Sequence, residues 1–220
     1  VSNTRLVLIR HGESRATVER FIGGPRTCTG LTDFGRRQVE ALRDRLVSGR
    51  DVSATALYSS NFPRAVETAQ IIAPALGSMP ITVESGWGEH DPGPDLDGIS
   101  YDAYVSKYGE PSWGDPDEDV FPGGETVGQF HSRIISTLRE TVRSNEGGTV
   151  VIACHGGVVD AVLRHTLHMH PTGKFELHTL NTSLTELVHV QGSKWRLVRY
   201  NDAAHLSSLQ PPVIRDSSVR

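Results

Sequence analysis

Cysteine is scarce in this 220-residue chain. Only Cys28 and Cys154 occur, without the spacing of a metal or redox motif. That argues against a disulfide-stapled scaffold and suits a reducing cytoplasm, with Cys154 as core packing inside a strand. Neither cysteine has an arginine six residues later, so the loop of a cysteine-dependent phosphatase is missing. No apolar run reaches 18 residues and Val1–Arg5 carries no signal-peptide pattern, so the expectation is a cytoplasmic protein with no membrane partner. Basic charge is not in excess: 22 Lys and Arg stand against 26 Asp and Glu, which gives no reason to expect nucleic-acid binding. No G-x-S-x-G occurs, which disfavours a serine hydrolase. Internal repeats are absent too.

Helical and strand periods alternate instead. The pattern predicts an α/β fold, a three-layer α/β/α sandwich around a mostly parallel sheet with one antiparallel edge strand. Residues 1–206 read as one domain, 86–124 as its cap or lid, and 207–220, with Pro211-Pro212, as a loose tail. Strands are expected at Leu6–Ile9, Ala54–Ser59, Ile81–Val83 and Thr149–Cys154. A hairpin, Leu184–Val190 with Trp195–Val198 around Gly192-Ser193, closes the sheet. Arg15–Gly30 reads as a Gly-rich loop, and Thr32 caps a helix with Val39, Leu42 and Leu46 on one face. Pro63 opens a second helix, with Val66, Ala69, Ile72, Ala73 and Leu76 as its apolar face. Ile99–Tyr108 is a helical piece. Thr126 starts a longer helix carrying Val127, Phe130, Ile134, Leu138 and Val142.

Two strand ends carry the chemistry. Arg10-His11-Gly12 follows the first strand and His155-Gly156-Gly157 follows the fourth. Ligands of open α/β sheets bind at carboxyl ends of strands, and a guanidinium matches phosphate oxygens bidentately. If the two strands are parallel neighbours, the two imidazoles meet. Arg64, one residue into the second helix, either reaches an anion at that helix's amino end or pairs on the surface with Glu67. Glu89 follows a strand end beside Trp87, where an apolar surround would suit a proton donor. Two other patterns are weaker. Asp95-Leu96-Asp97-Gly98 looks like an aspartate-nucleophile motif, but His90-Asp91-Pro92-Gly93-Pro94 precedes it where a buried strand is required. His165, His168 and His170 fit a helix end better than a metal site, so no metal is expected.

Together these motifs resemble the histidine phosphatase superfamily, the group that includes cofactor-dependent phosphoglycerate mutase. The resemblance rests on Arg10-His11-Gly12-Glu13, Arg20-Phe21-Ile22-Gly23, Leu31-Thr32-Asp33-Phe34-Gly35, Ser59-Ser60 through Arg64-Ala65 to Glu67-Thr68-Ala69, Glu89, Pro122-Gly123-Gly124-Glu125 and His155-Gly156-Gly157. It spans residues 5 to about 190. The resemblance implies that His11 attacks phosphorus while Arg10, Arg64 and His155 hold the phosphoryl oxygens. It also implies that Glu89 serves as general acid and base, without cofactor or metal. His11 must then be neutral, with one ring nitrogen donating to a backbone carbonyl. Gly12, Thr17, Arg20, Gly23, Gly156 and Thr182 are the further substrate-binding candidates.

Within that superfamily the charge pattern favours the phosphatase branch. Residues 90–122 hold one cation, Lys107, against nine carboxylates, whereas a mutase needs cations for the substrate's own carboxylate. Thr17 and Ile22 also depart from the mutase pattern. The expected partner is a small phosphomonoester. Arg15, Arg20 and Arg26 could still meet a second anionic group. The acidic run Asp115–Asp119 is either a solvated loop or a selector of neutral or cationic leaving groups. The alternatives are a cofactor-dependent mutase, a protein phosphatase or a non-catalytic binding protein on the same fold. Oligomeric state stays open, a homodimer included.

Overall fold

The computed structural model describes residues 3–49, 52–190 and 194–209. The hairpin turn at Gly192-Ser193 and the Pro211-Pro212 tail lie outside them. In chain order the elements are β1 (Thr4–Arg10), α1 (Arg15–Val18), α2 (Asp33–Gly49), β2 (Ala56–Ser59), α3 (Pro63–Ile72) and β3 (Ile81–Val83). They continue with α4 (Tyr101–Tyr108), α5 (Val127–Ser144), β4 (Thr149–Cys154), α6 (Gly156–Thr166), β5 (Leu184–Val190) and β6 (Lys194–Asp202).

The sheet order is β3-β2-β4-β1-β5-β6. β3, β2, β4 and β1 run parallel, and β5 lies antiparallel to β1 and to β6. The expected antiparallel edge strand is therefore one place further in: β5 is the reversed strand, and β6 forms the edge. A tightly connected pair must be antiparallel, so the strand that reverses against β1 carries its hairpin partner outward.

β1 shows why the sandwich has three layers. Leu6 and Leu8 point to one face, against Phe130, Ile134 and Leu138 of α5 and Val158, Val159 and Val162 of α6. Val7 and Ile9 point to the other, against Val39, Leu42 and Leu46 of α2 and Ile72 of α3. All four β1 side chains are fully buried, worth roughly 1.5–3 kcal/mol each. An unbroken apolar run is what a strand covered on both faces requires. A third cluster, Ile22, Leu96, Tyr101, Tyr104, Val120, Phe121 and Val127, packs the 86–124 segment onto the loop after β1.

Helix starts follow their caps. Thr32 Oγ1 accepts from Gly35 N at 2.9 Å. Thr126 and Gln129 form a reciprocal capping box at the head of α5. Local differences from the sequence reading have local causes. Arg15–Gly30 is not all loop, because Arg15–Val18 makes one helical turn. Val66 is only half-buried; Ala65 and Thr68 join Ala69 and Ile72 on the buried face of α3. Ile99 precedes α4, whose cap is Ser100, and is held instead by backbone bonds to the loop at Ile22.

The chain leaves β1 toward the face covered by α2 and leaves β4 toward the face covered by α6. Their loops part, and the crevice opens at the carboxyl ends of adjacent strands. Gly35 lets α2 approach closely there, since a Cβ on it would lie 2.0 Å from the backbone oxygen of Glu13. Alanine gains about 1 kcal/mol over glycine inside a helix, but here it meets backbone that cannot yield. Gly35→Ala should cost about 1–3 kcal/mol net in urea unfolding.

Candidate active site

β1 and β4 pair in register, Arg10 opposite Cys154, so the next residue of each strand is a histidine. The His11 and His155 rings meet edge to face at 5.1 Å between centroids. His11 N donates to Cys154 O at 2.9 Å, which ties the two strand ends together.

His11 is buried and its tautomer is fixed. Nδ1 lies 2.7 Å from Gly12 O, and a carbonyl can only accept, so Nδ1 carries the proton. Nε2 keeps its lone pair, and Arg64 Nε donates to it at 3.1 Å. Burial, then the charges of Arg64 and Arg10, hold the imidazole well below its usual pKa, so it is neutral. His155 is likewise held low, by burial and then by Arg64. Its Nε2 meets Ser60 Oγ at 2.7 Å, and its ring packs on Phe62. Ser60 Oγ already accepts from Phe62 N, so its hydroxyl proton is free to go to His155 Nε2 and leave the proton on Nδ1.

Arg64 is one of the few buried arginines, 6 % exposed. Pro63 starts α3 directly behind β2, so Arg64 enters the crevice from the helix's first turn. Its Nη1 donates to Gly23 O at 3.0 Å, and its guanidinium lies over Phe62. Glu67 pairs with Arg36 instead, so the surface-pair reading of Arg64 falls. Arg10 donates through Nη1 to Thr179 O. Arg10 Nε and His155 Nδ1 are buried without a protein partner. Unsatisfied buried donors cost roughly 1–3 kcal/mol each, and a phosphoryl oxygen would satisfy them.

Glu89 reaches the same crevice from the far side of β4. Its carboxylate accepts from Gly157 N at 3.0 Å, in the first turn of α6, and from His90 N at 3.1 Å. Trp87 is not the apolar wall expected for it. That indole is wholly buried in the core with Leu6, Phe130 and Ile134.

The remaining candidates divide. Gly12 is not open space for substrate: a Cβ there would stand 2.6 Å from Gly35 O, and its carbonyl orients His11. Gly23 offers its carbonyl to Arg64, and Gly156 lies beside Arg10. Thr17 is exposed and bonded to Ser14. Arg20 pairs with Asp102 and lies over Tyr101. Thr182 is buried, its hydroxyl held by Asn181 O and His205, so it does not face a ligand. Its backbone N–H instead clamps Arg10 O. Sequence reasoning missed Ser60, Thr179 and Arg133. Asn181 Nδ2 donates to His11 O at 2.9 Å. Only Ser60 had a signal, its place in the Ser59-Ser60 motif.

The weaker patterns have structural roles. Asp97, with a side chain 1 % exposed, accepts from Gly24 N, Arg26 N and Thr27, so it clamps a loop. His165 and His168 line a groove of about 430 Å³ with His131, away from the crevice. The run Asp115–Asp119 lies at the head of α5, where Pro116 O accepts from Gly128 N and Asp119 bridges to Thr126.

A profile of the histidine phosphatase superfamily, branch 1, matches residues 6–203. The chain belongs to that superfamily. Phosphoglycerate mutase-like protein 4 of Arabidopsis thaliana is 30 % identical over 211 residues, covering 94 % of this chain and 88 % of that one. The metal-independent phosphoserine phosphatase of the same plant is 29 % identical over 216 residues, covering 94 % and 84 %. The solved mycobacterial glucosyl-3-phosphoglycerate phosphatase superposes with a TM-score of 0.75 at 25 % identity, covering 91 % and 99 %. These phosphatase relatives support phosphoric monoester hydrolase activity. Among the described residues, no helix is long and apolar enough to cross a membrane.

Two outcomes follow from this geometry. A Cβ on Gly157 would lie 2.3 Å from Glu89 Oε1, the movable end of a side chain. Gly157→Ala should leave thermal stability unchanged or slightly raised, yet lower kcat/KM about tenfold or more by displacing that carboxylate. The second outcome concerns acid. Besides His11 and His155, burial lowers His131 and His205 to about 4. Below pH about 6.5 the unfolded chain binds more protons than the folded one, so stability is full above that value and falls toward pH 4. The slope is up to about 1.4 kcal/mol per pH unit for each histidine, measurable by urea unfolding at pH 7, 6 and 5.

Proposed function

We propose that this chain is a metal-independent phosphomonoesterase acting on a small phosphorylated metabolite through a phosphohistidine on His11. One observation carries the reading: a buried neutral imidazole whose Nδ1–H is fixed by Gly12 O, so that Nε2 is the nucleophilic atom. Arg64 Nε turns from Nε2 to a phosphoryl oxygen as the ester enters, which frees the lone pair. Arg10 and His155 Nδ1–H bind the other oxygens, and the guanidinium charges do the work a metal ion does elsewhere. Nε2 then forms a bond to phosphorus as the ester P–O bond breaks, and the Glu89 carboxyl gives its proton to the leaving oxygen. Water attacks the phosphohistidine, Glu89 takes the proton back, the N–P bond breaks and phosphate leaves. Residues 1–206 act as one catalytic unit, with 86–124 as the cap over its pocket.

The alternative is a cofactor-dependent mutase, and the charge arrangement speaks against it. Arg20 is paired with Asp102, and Arg26 with Asp91 and Asp97, so these loop cations already have carboxylate partners. Arg15 donates to Thr29 O. Lys107 lies exposed on α4. The run Asp115–Asp119 serves the amino end of α5, so it supports no selection of leaving groups.

EDTA-treated enzyme should release phosphate from p-nitrophenyl phosphate and from a panel of metabolite monoesters, with monophosphates preferred over bisphosphates. His11→Ala should abolish turnover while melting like the parent. An acid-labile phosphoenzyme should be trapped from the parent only. Isomerisation of 3-phosphoglycerate without phosphate release would overturn the reading in favour of the mutase.

A further inference from the structure

Glu89 sits on a stretch without strand or regular α-helix, yet it must hold a proton within hydrogen-bond reach of one oxygen. The means of holding it comes from α5. Arg133 Nη1 donates to Gly86 O at 3.1 Å and to Gly88 O at 3.0 Å, and Nη2 donates to Glu89 O at 3.3 Å. The same guanidinium binds Glu125 through two bonds, Nε to Oε1 at 2.7 Å and Nη2 to Oε2 at 2.8 Å. Glu125 in turn accepts from Asp91 N through Oε2, and its carbonyl receives His90 Nε2 at 2.6 Å. One side chain thus holds three backbone carbonyls, those of Gly86, Gly88 and Glu89 itself, and its partner Glu125 holds the two residues after Glu89.

The seat is also shaped for this loop. Gly86 lies so close to α5 that a Cβ on it would stand 2.0 Å from Thr137 Oγ1, one turn beyond Arg133. The Phe130 ring lies under the guanidinium, one turn before it. Arg133 and Glu125 are only 29 % and 17 % exposed, so both are partly withdrawn from water and satisfied by each other and by the loop. A lysine could not reproduce this, because its single ammonium lacks the planar fork that spans a carboxylate and several carbonyls.

We propose that Arg133, locked by Glu125, is the positioning residue that aims Glu89 at the leaving oxygen. It touches neither substrate nor phosphorus, and the inference rests on reading Glu89 as the general acid. That role predicts a signature that ordinary structural support does not give. A misaimed acid hurts esters whose alkoxide needs a proton and spares p-nitrophenyl phosphate, whose phenolate leaves without one. kcat/KM reports the steps through phosphoryl transfer to His11, before Glu89 acts as a base.

The experiment compares kcat/KM for p-nitrophenyl phosphate and for glycerol phosphate in the parent, Glu89→Gln, Arg133→Gln and Arg133→Lys. Glu89→Gln should lose about 100-fold or more on the alkyl ester and only a few-fold on the aryl ester. Arg133→Gln should lose about 10- to 100-fold on the alkyl ester and less than about threefold on the aryl ester, with Arg133→Lys between it and the parent. Should the lone charge of Glu125 prevent folding, the Arg133→Gln/Glu125→Gln double variant removes both charges and is scored the same way. Equal losses on both esters, or none, in a folded Arg133 variant would overturn the proposal while leaving Glu89's role intact. Equal losses in Glu89→Gln itself would instead remove the general acid, and the positioning role with it.

Discussion

The register between β1 and β4 is the constraint from which the site is built. Because Arg10 stands opposite Cys154, the two chains leave the sheet at the same level and each delivers a histidine as its first residue beyond the ladder. A slip of one residue would turn Leu6, Val7, Leu8 and Ile9 to the wrong faces and part the two rings. Both faces of this sheet are packed, so neither direction of slip finds solvent to relax into. β2 adds the third anchor: Ser60 N donates to Ala153 O at 3.0 Å, and the Ser60 hydroxyl then meets His155. The position of the two imidazole rings is thus a consequence of strand pairing, which is cooperative.

Electrostatics add the second constraint. Two guanidinium groups and two imidazoles share one buried space, and only the imidazoles can relieve it by losing charge. Burial and the adjacent cations both favour their neutral forms, so the same crowding that would penalise a histidinium suits the nucleophile proposed for His11. The backbone around them is held at some cost. Thr182 adopts φ +58°, uncommon for a β-branched residue, and in doing so directs its N–H onto Arg10 O. Asn181 secures His11 O from the same turn. Strain at this junction behind Arg10 and His11 persists because several bonds overdetermine it.

What the sequence made legible was whatever obeys a short period or a fixed neighbour. The strands ending in Arg10 and Cys154, the Thr32 and Thr126 caps and the Pro63 helix start could all be read locally, and so could the two His-Gly junctions. The reversed position of β5 was not, because pairing partners are chosen by the whole sheet. The packing reason for Gly12 was not legible either: a Cβ there would meet Gly35, 23 positions away. Arg133 looked like one more polar position on an amphipathic helix. Its partners lie 8 to 47 residues away, and no local pattern announces them.

Charge pairing also settles how far this site discriminates among esters. Several of the carboxylates that repel a second anion in the sequence are engaged in the structure: Asp91 and Asp97 with Arg26, Asp102 with Arg20, and Asp119 with the turn before α5. The run before α5 meets that helix through backbone, Gly128 N donating to Pro116 O. A bisphosphate would have to draw Arg20 away from Asp102, an exposed pair worth only about 0–1 kcal/mol. Since 1.4 kcal/mol is a factor of ten, releasing Arg20 disfavours a second anion by no more than about tenfold. On that reading stronger selection would come from shape, from the Ile22, Tyr101 and Phe121 cluster that packs the 86–124 segment against the loop after β1. On the proposed function, charge would admit the phosphoryl group and the 86–124 segment would decide what can be attached to it.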